Sequence, residues 1–331
     1  MLLYLQFMVL AGAILFAGVR IARYGDVIAE KTGLGRTWVG SVLIGTTTSL
    51  PELTTGISSV TYAGAPDIVM GNVAGACLFN LLLLAVLDLF QRPKPLSSVV
   101  YQGHVLSATV GILLACSVIV ALLIGQRSGS LLWVSPYSLL VAAVYVVAMK
   151  LGYAHEKRRT EQMFDVLKAE EQYGAISSRQ AWLYFSFYAA ITVAASIFLP
   201  STAVGVARQT GLGQTIVGTL FVALSTTLPE LVVSISATRS GAIDLAVGNI
   251  FGSNVFNFLI LAVSDLFFVQ GPLFAFVSPR HIFSLVSIIA MTAVSVIGLT
   301  YRAEKKLFLL SFDSVVIFLI YAANVVALFL F

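Results

Sequence analysis

Apolar runs of membrane-crossing length recur along the whole chain, separated by short polar breaks. Ten are read, centred in 3–20, 38–61, 67–90, 99–124, 131–150, 181–200, 214–237, 244–269, 281–299 and 308–330. Roughly 17 to 25 apolar residues in helical conformation cross the hydrocarbon layer of a bilayer. The second, third, seventh and eighth runs are interrupted by Pro, Gly, Asn and carboxylates. The pattern predicts an all-α polytopic membrane protein of ten transmembrane helices in two inverted five-helix repeats. An N-terminal half would occupy 1–151, a charged cytoplasmic linker 152–179 and a C-terminal half 180–331.

Composition strengthens the membrane reading. Of 331 residues, 59% are hydrophobic and 10% charged, with mean hydropathy +0.97. A soluble domain carries about 25% charged residues. The net charge of +4 is no nucleic-acid footprint, because Lys and Arg are scattered between spans without an aromatic-interleaved groove. Cys77 and Cys116 both fall inside predicted spans, which speaks against an extracellular disulfide. His104, His155 and His281 are too far apart in sequence to form a metal-ligand spacing. The first span has no basic residue ahead of it and is followed by Arg20 and Arg23, which favours a retained span over a cleaved signal peptide.

With both termini outside, the inner connections receive 16 of the 19 Lys and Arg residues, leaving Arg127, Arg208 and Arg280 outside. The positive-inside bias therefore predicts extracytoplasmic termini. The longest connection, GYAHEKRRTEQMFDVLKAEEQYGAISSR, reads as a solvated link between the halves. Met163, Phe164, Val166 and Leu167 give it a modest apolar cluster that would suit a short lipid-touching or regulatory helix. Its spacing does not match a calcium-binding loop.

The two halves repeat. At an offset of 178, Gly33-Leu34-Gly35-Arg36-Thr37 meets Gly211-Leu212-Gly213-Gln214-Thr215, and Pro51-Glu52-Leu53 meets Pro229-Glu230-Leu231. Val60 has no counterpart, and beyond it the offset is 177: Gly71-Asn72 meets Gly248-Asn249, Phe79-Asn80 meets Phe256-Asn257, and Asp88 meets Asp265. Residues 33–90 and 211–267 agree at about half of their aligned positions. Many matches are Gly, Pro, Thr, Asn, Glu and Asp, which chance similarity between apolar helices would not favour. Five spans separate equivalent points, an odd number, so the second copy crosses the membrane in the opposite sense. Paired interrupted helices in such a repeat point to a midplane site reached alternately from the two sides.

Glu52 and Glu230 lie well within their spans, where an isolated carboxylate costs at least about 2.5 kcal/mol. They must share a cation, take up protons or face water. Thr48 and Ser49 share a helical face with Glu52, as Thr226 and Thr227 do with Glu230. Pro51 should free the carbonyl of Thr47, and Pro229 that of Ser225. Carboxylates, hydroxyls and free carbonyls make the all-oxygen shell that calcium favours; zinc or copper would ask for Cys or His. Asn80 and Asn257 add side-chain oxygens without charge. Asn72 and Asn249 suit either the site or a broken helix end. Asp67, Asp88, Asp244 and Asp265, near span ends, read as caps or interfacial anchors.

These motifs, GTTTSLPEL…GNVAGACLFN and ALSTTLPEL…GNIFGSNVFN, resemble the calcium/cation antiporter superfamily, specifically its sodium/calcium exchanger branch of prokaryotic type. The resemblance implies a sodium/calcium exchanger-like core of the second, third, seventh and eighth helices and a sliding pair formed by the first and sixth. It implies Glu52 and Glu230 as central calcium carboxylates, Asn80 and Asn257 completing that region, and Thr48 and Thr226 lending oxygens to calcium. Ser49, Thr227 and Ser253, with backbone oxygens of Gly45 and Ala223, would serve flanking sodium ions. The chain departs from the fuller motif at Ala76-Cys77, where Ser-Asn is usual, and at Asn257, where many prokaryotic relatives carry Asp.

The function expected is secondary antiport of calcium against sodium, with no enzyme activity and no cofactor. A calcium/proton antiporter is the nearest alternative, since buried carboxylates can carry protons. A cation channel would leave the odd-parity duplication unexplained, an enzyme would need a nucleophile–base pair or an HExxH motif, and a purely structural module would leave both glutamates idle. The partners expected are membrane lipid and inorganic cations, not nucleic acid. A monomer can suffice. The absence of a large inner domain points to a prokaryotic cytoplasmic membrane.

Overall fold

Inside a bilayer a chain must satisfy its own amides and carbonyls, and a helix does so within one segment. The computed structural model describes residues 2–31, 48–125, 129–163 and 176–330, and its regular structure is helical. In chain order the helices are α1 (Leu2–Lys31), α2 (Leu50–Thr61), α3 (Pro66–Phe90), α4 (His104–Ile124), α5 (Pro136–Met163), α6 (Ser178–Thr210), α7 (Gln214–Arg239), α8 (Ile243–Phe267), α9 (His281–Tyr301) and α10 (Phe312–Leu330). Eight of these, all but α2 and α5, are long and apolar enough to cross a membrane, and the apolar part of α5 is Pro136–Gly152.

Several boundaries differ from the sequence reading: α1, read to 20, runs on to Lys31, and α5 and α10 begin at Pro136 and Phe312 rather than at 131 and 308. The fourth helix starts at His104 rather than near 99, because Leu96–Val99 forms a short turn of its own. The Leu96 amide at its start donates to Asp88 at 2.7 Å. Helix α5 continues to Met163, into the stretch read as a solvated link, which carries helix-forming Glu, Lys and Arg there and no Pro. Helix α6 passes the expected end at 200 and runs to Thr210, with Pro200 in its interior. Proline removes the amide that would bond the carbonyl four residues earlier, that of Ser196. The Ser58 hydroxyl of α2 donates to that oxygen at 3.1 Å, so the break is satisfied from outside the helix. A capping box of Ser177 and Gln180 begins α6, and Gly211 in the left-handed region ends it.

Helices α3 and α8 form the centre. Val69, Val73, Leu78 and Leu81 pack with Phe251, Phe258 and Leu261, backed by Leu114 and Val118 of α4 and Leu285 and Ile288 of α9. Helix α7 meets α3 at backbone distance. A Cβ on Gly75 would fall 2.1 Å from the Thr219 carbonyl, and one on Gly71 would fall 2.9 Å from the Gly218 Cα. Glycines four residues apart thus let two helices touch. Helices α1 and α6 lie together, with Tyr24 stacked on Tyr184 at 5.2 Å.

The aspartates at the span ends tie loops to this centre. Asp88 accepts from the amides of Leu96 and Ser311, each at 2.7 Å, and pairs with Lys306 at 3.1 Å. Asp265 accepts from the amides of Leu273 (2.6 Å) and Ser135 (2.7 Å) and from the Ser138 hydroxyl (2.6 Å). Asp67 accepts from the Ser278 amide and Asp244 from the Tyr101 amide, both at 2.7 Å. The two members of each pair are 177 residues apart in sequence, and each holds the loop that is the counterpart of the other's. Each of these bonds runs to a residue outside the aspartate's own helix.

Candidate cation site

Glu52 sits in the first turn of α2, behind Pro51, and the chain breaks from helical geometry just before it, at Ser49. A helix start leaves amides free and favours a carboxylate. The second repeat reaches the same place differently. Helix α7 widens to a π-turn over Val217–Val222 and then continues as α-helix through Pro229 and Glu230. Both glutamates are buried, each 1% exposed.

Each carboxylate is held by the opposite repeat. The Ser49 hydroxyl lies 3.2 Å from Glu230 Oε1, and the Thr227 hydroxyl lies 3.2 Å from Glu52 Oε1. Thr48 lies beside Glu230, and Thr226 lies beside Glu52. The helical-face reading grouped each glutamate with the hydroxyls of its own segment; the packing delivers them to the other one. Ser253 Oγ stands 3.5 Å from Ser49 Oγ. The Ala223 carbonyl accepts from Thr226 at 3.1 Å and from Thr227 at 2.7 Å. Gly45 and Thr47 lie outside the described residues. Asn72 spans the break, accepting from the Thr226 hydroxyl at 3.0 Å and donating to the Glu52 carbonyl at 3.4 Å.

Two residues join this centre that the sequence reading did not assign. The Asn80 amide group donates to Asn254 Oδ1 at 3.0 Å, and Asn254 Nδ2 donates to the Cys77 carbonyl at 3.4 Å. Cys77 and Asn254 are counterparts in the repeat, at one of its mismatched positions. The mismatch was the available signal, since a position free to differ between copies can pair across the junction.

Four buried oxygens around this centre have no hydrogen-bond partner: Glu52 Oε2, Glu230 Oε2, Asn80 Oδ1 and Asn257 Oδ1. Buried polar atoms are ordinarily satisfied, so a set of orphaned acceptors signals an absent donor or cation. Among the described residues neither glutamate forms an ion pair with Lys, Arg or His. The free acceptors are hard oxygens, two of them on carboxylates, a set that fits calcium better than a thiophilic metal. His104 and His281 lie elsewhere, 3.6 Å from Asp244 and 3.3 Å from Asp67.

Comparison with known proteins gives a consistent picture. A family model described as "Sodium/calcium exchanger protein" matches residues 2–151 and 180–330. The sodium/calcium exchanger MaX1 of Methanosarcina acetivorans is 37% identical over 142 residues, 43% of this chain and 38% of that protein. Two solved structures share the fold. The H+/Ca2+ exchanger CAX superposes with TM-score 0.72 at 14% identity, covering 99% of this chain and 84% of that one. The sodium-calcium exchanger NCX_Mj superposes with TM-score 0.61 at 20% identity, covering 98% of each chain.

Proposed function

The chain belongs to the sodium/calcium exchanger protein family and is a multi-pass membrane calcium/cation antiporter rather than an enzyme, and from that premise we propose that it exchanges calcium for sodium by alternating access at the buried site between α2, α3, α7 and α8. The observation that carries this reading is the reciprocal clasp of Glu52 by Thr227 and of Glu230 by Ser49, with one oxygen of each carboxylate left over.

In this reading Glu52 and Glu230 bind calcium together with the side-chain oxygens of Asn80 and Asn257. Thr48 and Thr226 lend hydroxyl oxygen. Ser49, Thr227 and Ser253, with the carbonyls of Ala223 and Gly45, serve sodium when calcium has left. Two ionised carboxylates in an empty site resist passage through a closed state, because buried unpaired charge is expensive. One divalent ion, or several monovalent ones, removes that penalty and lets the gate move. Helices α1 and α6, outside the central packing, are the natural moving pair, sliding together in an inverted ten-helix arrangement. The exchange of equivalent contacts between the halves supports such an arrangement. The bias of basic residues supports extracytoplasmic termini in a prokaryotic cytoplasmic membrane. All of these ligands come from one chain, so a monomer suffices.

Sealed proteoliposomes test the reading. Calcium uptake should follow an outward sodium gradient, and Glu52→Gln should abolish it; undiminished uptake by that variant sinks the assignment. Protons are the second candidate counter-ion, favoured by the likeness in fold to an H+/Ca2+ exchanger. Uptake driven by a pH gradient in sodium-free buffer would decide for them.

A further inference from the structure

Serine and threonine in a membrane helix usually donate to the carbonyl four residues back, which satisfies the hydroxyl within its own helix. On α2 and α6 this is done by Ser59, Thr61, Thr202 and Thr210, whose hydroxyls reach Thr55, Ile57, Phe198 and Val206 carbonyls at 2.6 to 3.0 Å. Three hydroxyls on the same two helices behave otherwise. Thr55 Oγ1, Thr192 Oγ1 and Ser196 Oγ are buried and have no partner.

These three sit along one seam. Ser58 of α2 contacts the Ser196 carbonyl, and Tyr62 meets Phe198 edge-on further along both helices, so the two run parallel. Thr55 and Thr192 lie one turn back on each, toward Glu52, and Thr55 shares the face of Glu52 at i and i+3. Pro200 adds a fourth oxygen with spare capacity: it strips the Ser196 carbonyl of its helical donor, and the Ser58 hydroxyl that replaces that donor occupies one of the carbonyl's two lone pairs. The counterpart seam in the other repeat has none of these groups. If the offset of 178 is carried back into the first and sixth helices, Val233, Ile14, Gly18 and Ala22 fall at the sequence positions of Thr55, Thr192, Ser196 and Pro200. Gly18 is packed so tightly on Pro229 that a Cβ there would fall 2.4 Å from the proline Cγ. The first seam keeps three unpartnered hydroxyls, whereas Gly18 and Pro229 close the α1–α7 contact without any.

We infer that the α2–α6 seam is a staging site for an alkali-metal cation on its way to or from Glu52, formed by Thr55, Thr192 and Ser196. The ligand class follows from charge. Ion hydration scales with charge squared, so a monovalent ion gives up roughly a quarter of what a divalent ion of equal size would. Uncharged hydroxyls and a carbonyl can replace the former loss; calcium needs carboxylates to leave water. The seam therefore acts on the monovalent arm of exchange and leaves calcium affinity alone. This inference rests on the antiport reading above.

Calcium-45 uptake into proteoliposomes, measured over a titration of internal sodium, tests it. The double variant Thr192→Val, Ser196→Ala should raise the sodium concentration for half-maximal exchange about 5- to 10-fold, the effect of losing ligand hydroxyls, with the calcium half-saturation unchanged. Pro200→Ala, which restores a helical donor to the Ser196 carbonyl and strengthens α6, should shift sodium dependence in the same direction by less. Thr202→Val and Thr61→Val, on the same helices, should shift nothing. An unchanged sodium titration in the double variant and in Pro200→Ala overturns the inference, as does an equal shift in Thr202→Val. Uptake that ignores sodium in the wild type overturns it too. Retained calcium-45 binding by Glu52→Gln would instead refute the central site, a separate outcome.

Discussion

Thr227 and Glu52, 175 residues apart, meet at 3.2 Å, and Ser49 and Glu230 repeat the contact at the same distance with the halves exchanged. Each carboxylate is thereby positioned by the helix that carries the other one. Movement of either repeat is felt at both acids.

That reciprocity predicts matched defects. Ser49→Ala and Thr227→Val should each weaken calcium binding about 5- to 10-fold, the worth of one hydrogen bond to a charged group. The two effects should agree within about a factor of two. Calcium-45 binding to the detergent-solubilised protein measures this, and a defect confined to one of the pair would mean the site is not shared.

The α3–α7 contact sets a second expectation. In Gly75→Ala the new methyl group would meet backbone, at 2.1 Å from the Thr219 carbonyl, where no rotamer can relieve it. Overpacking of this kind costs about 1 to 3 kcal/mol or more. Gly111→Ala has open space around its Cβ and sits inside α4, so it should be neutral or stabilising by up to about 1 kcal/mol. Thermal denaturation in detergent compares the two, and equal melting points would contradict the packing.

Lys306 and Asp88 form an ion pair in which the side chains are only 6% and 0% exposed. Lys306→Met strands a buried carboxylate and should cost about 3 to 5 kcal/mol. The double variant Asp88→Asn, Lys306→Met should recover part of that loss. Asp265, held by two amides and a hydroxyl and paired with no cation among the described residues, should be less sensitive: Asp265→Asn is expected to cost about 1 to 3 kcal/mol. Chemical denaturation of the purified variants distinguishes these, and a harmless Lys306→Met would show that the pair is solvated.

Gly18→Val places a branched side chain where Pro229 leaves no room. If α1 moves along α7 during transport, this variant should bind calcium as the wild type does and exchange it at least about tenfold more slowly, a barrier of some 1.4 kcal/mol. Equilibrium binding alongside initial uptake rates gives both numbers. Normal exchange would remove α1 from the moving parts.

The sequence carries the repeat, the apolar runs, the two glutamates and the asparagines near them, because periodicity and the cost of burying charge belong to single segments. The aspartates at the span ends were equally legible as anchors. What they anchor was not: Asp88 reaches Ser311 and Asp265 reaches Ser135, far along the chain. Asn254, which pairs with Asn80, stood at a mismatch in the repeat and so drew no assignment. The sixth apolar run is placed in 181–200, yet α6 continues past Pro200, and the Ser196 carbonyl that it frees is caught by a serine on another helix.

The amino-acid order by itself determined that this chain lives in lipid, is built twice over, and carries two buried acids that must share a cation, take up protons or face water. Only the tertiary structure decided which hydroxyl serves which glutamate, and which of two equivalent seams keeps free oxygens. Those choices depend on how helices distant in sequence settle against one another, and close packing settles them at distances that no local pattern encodes.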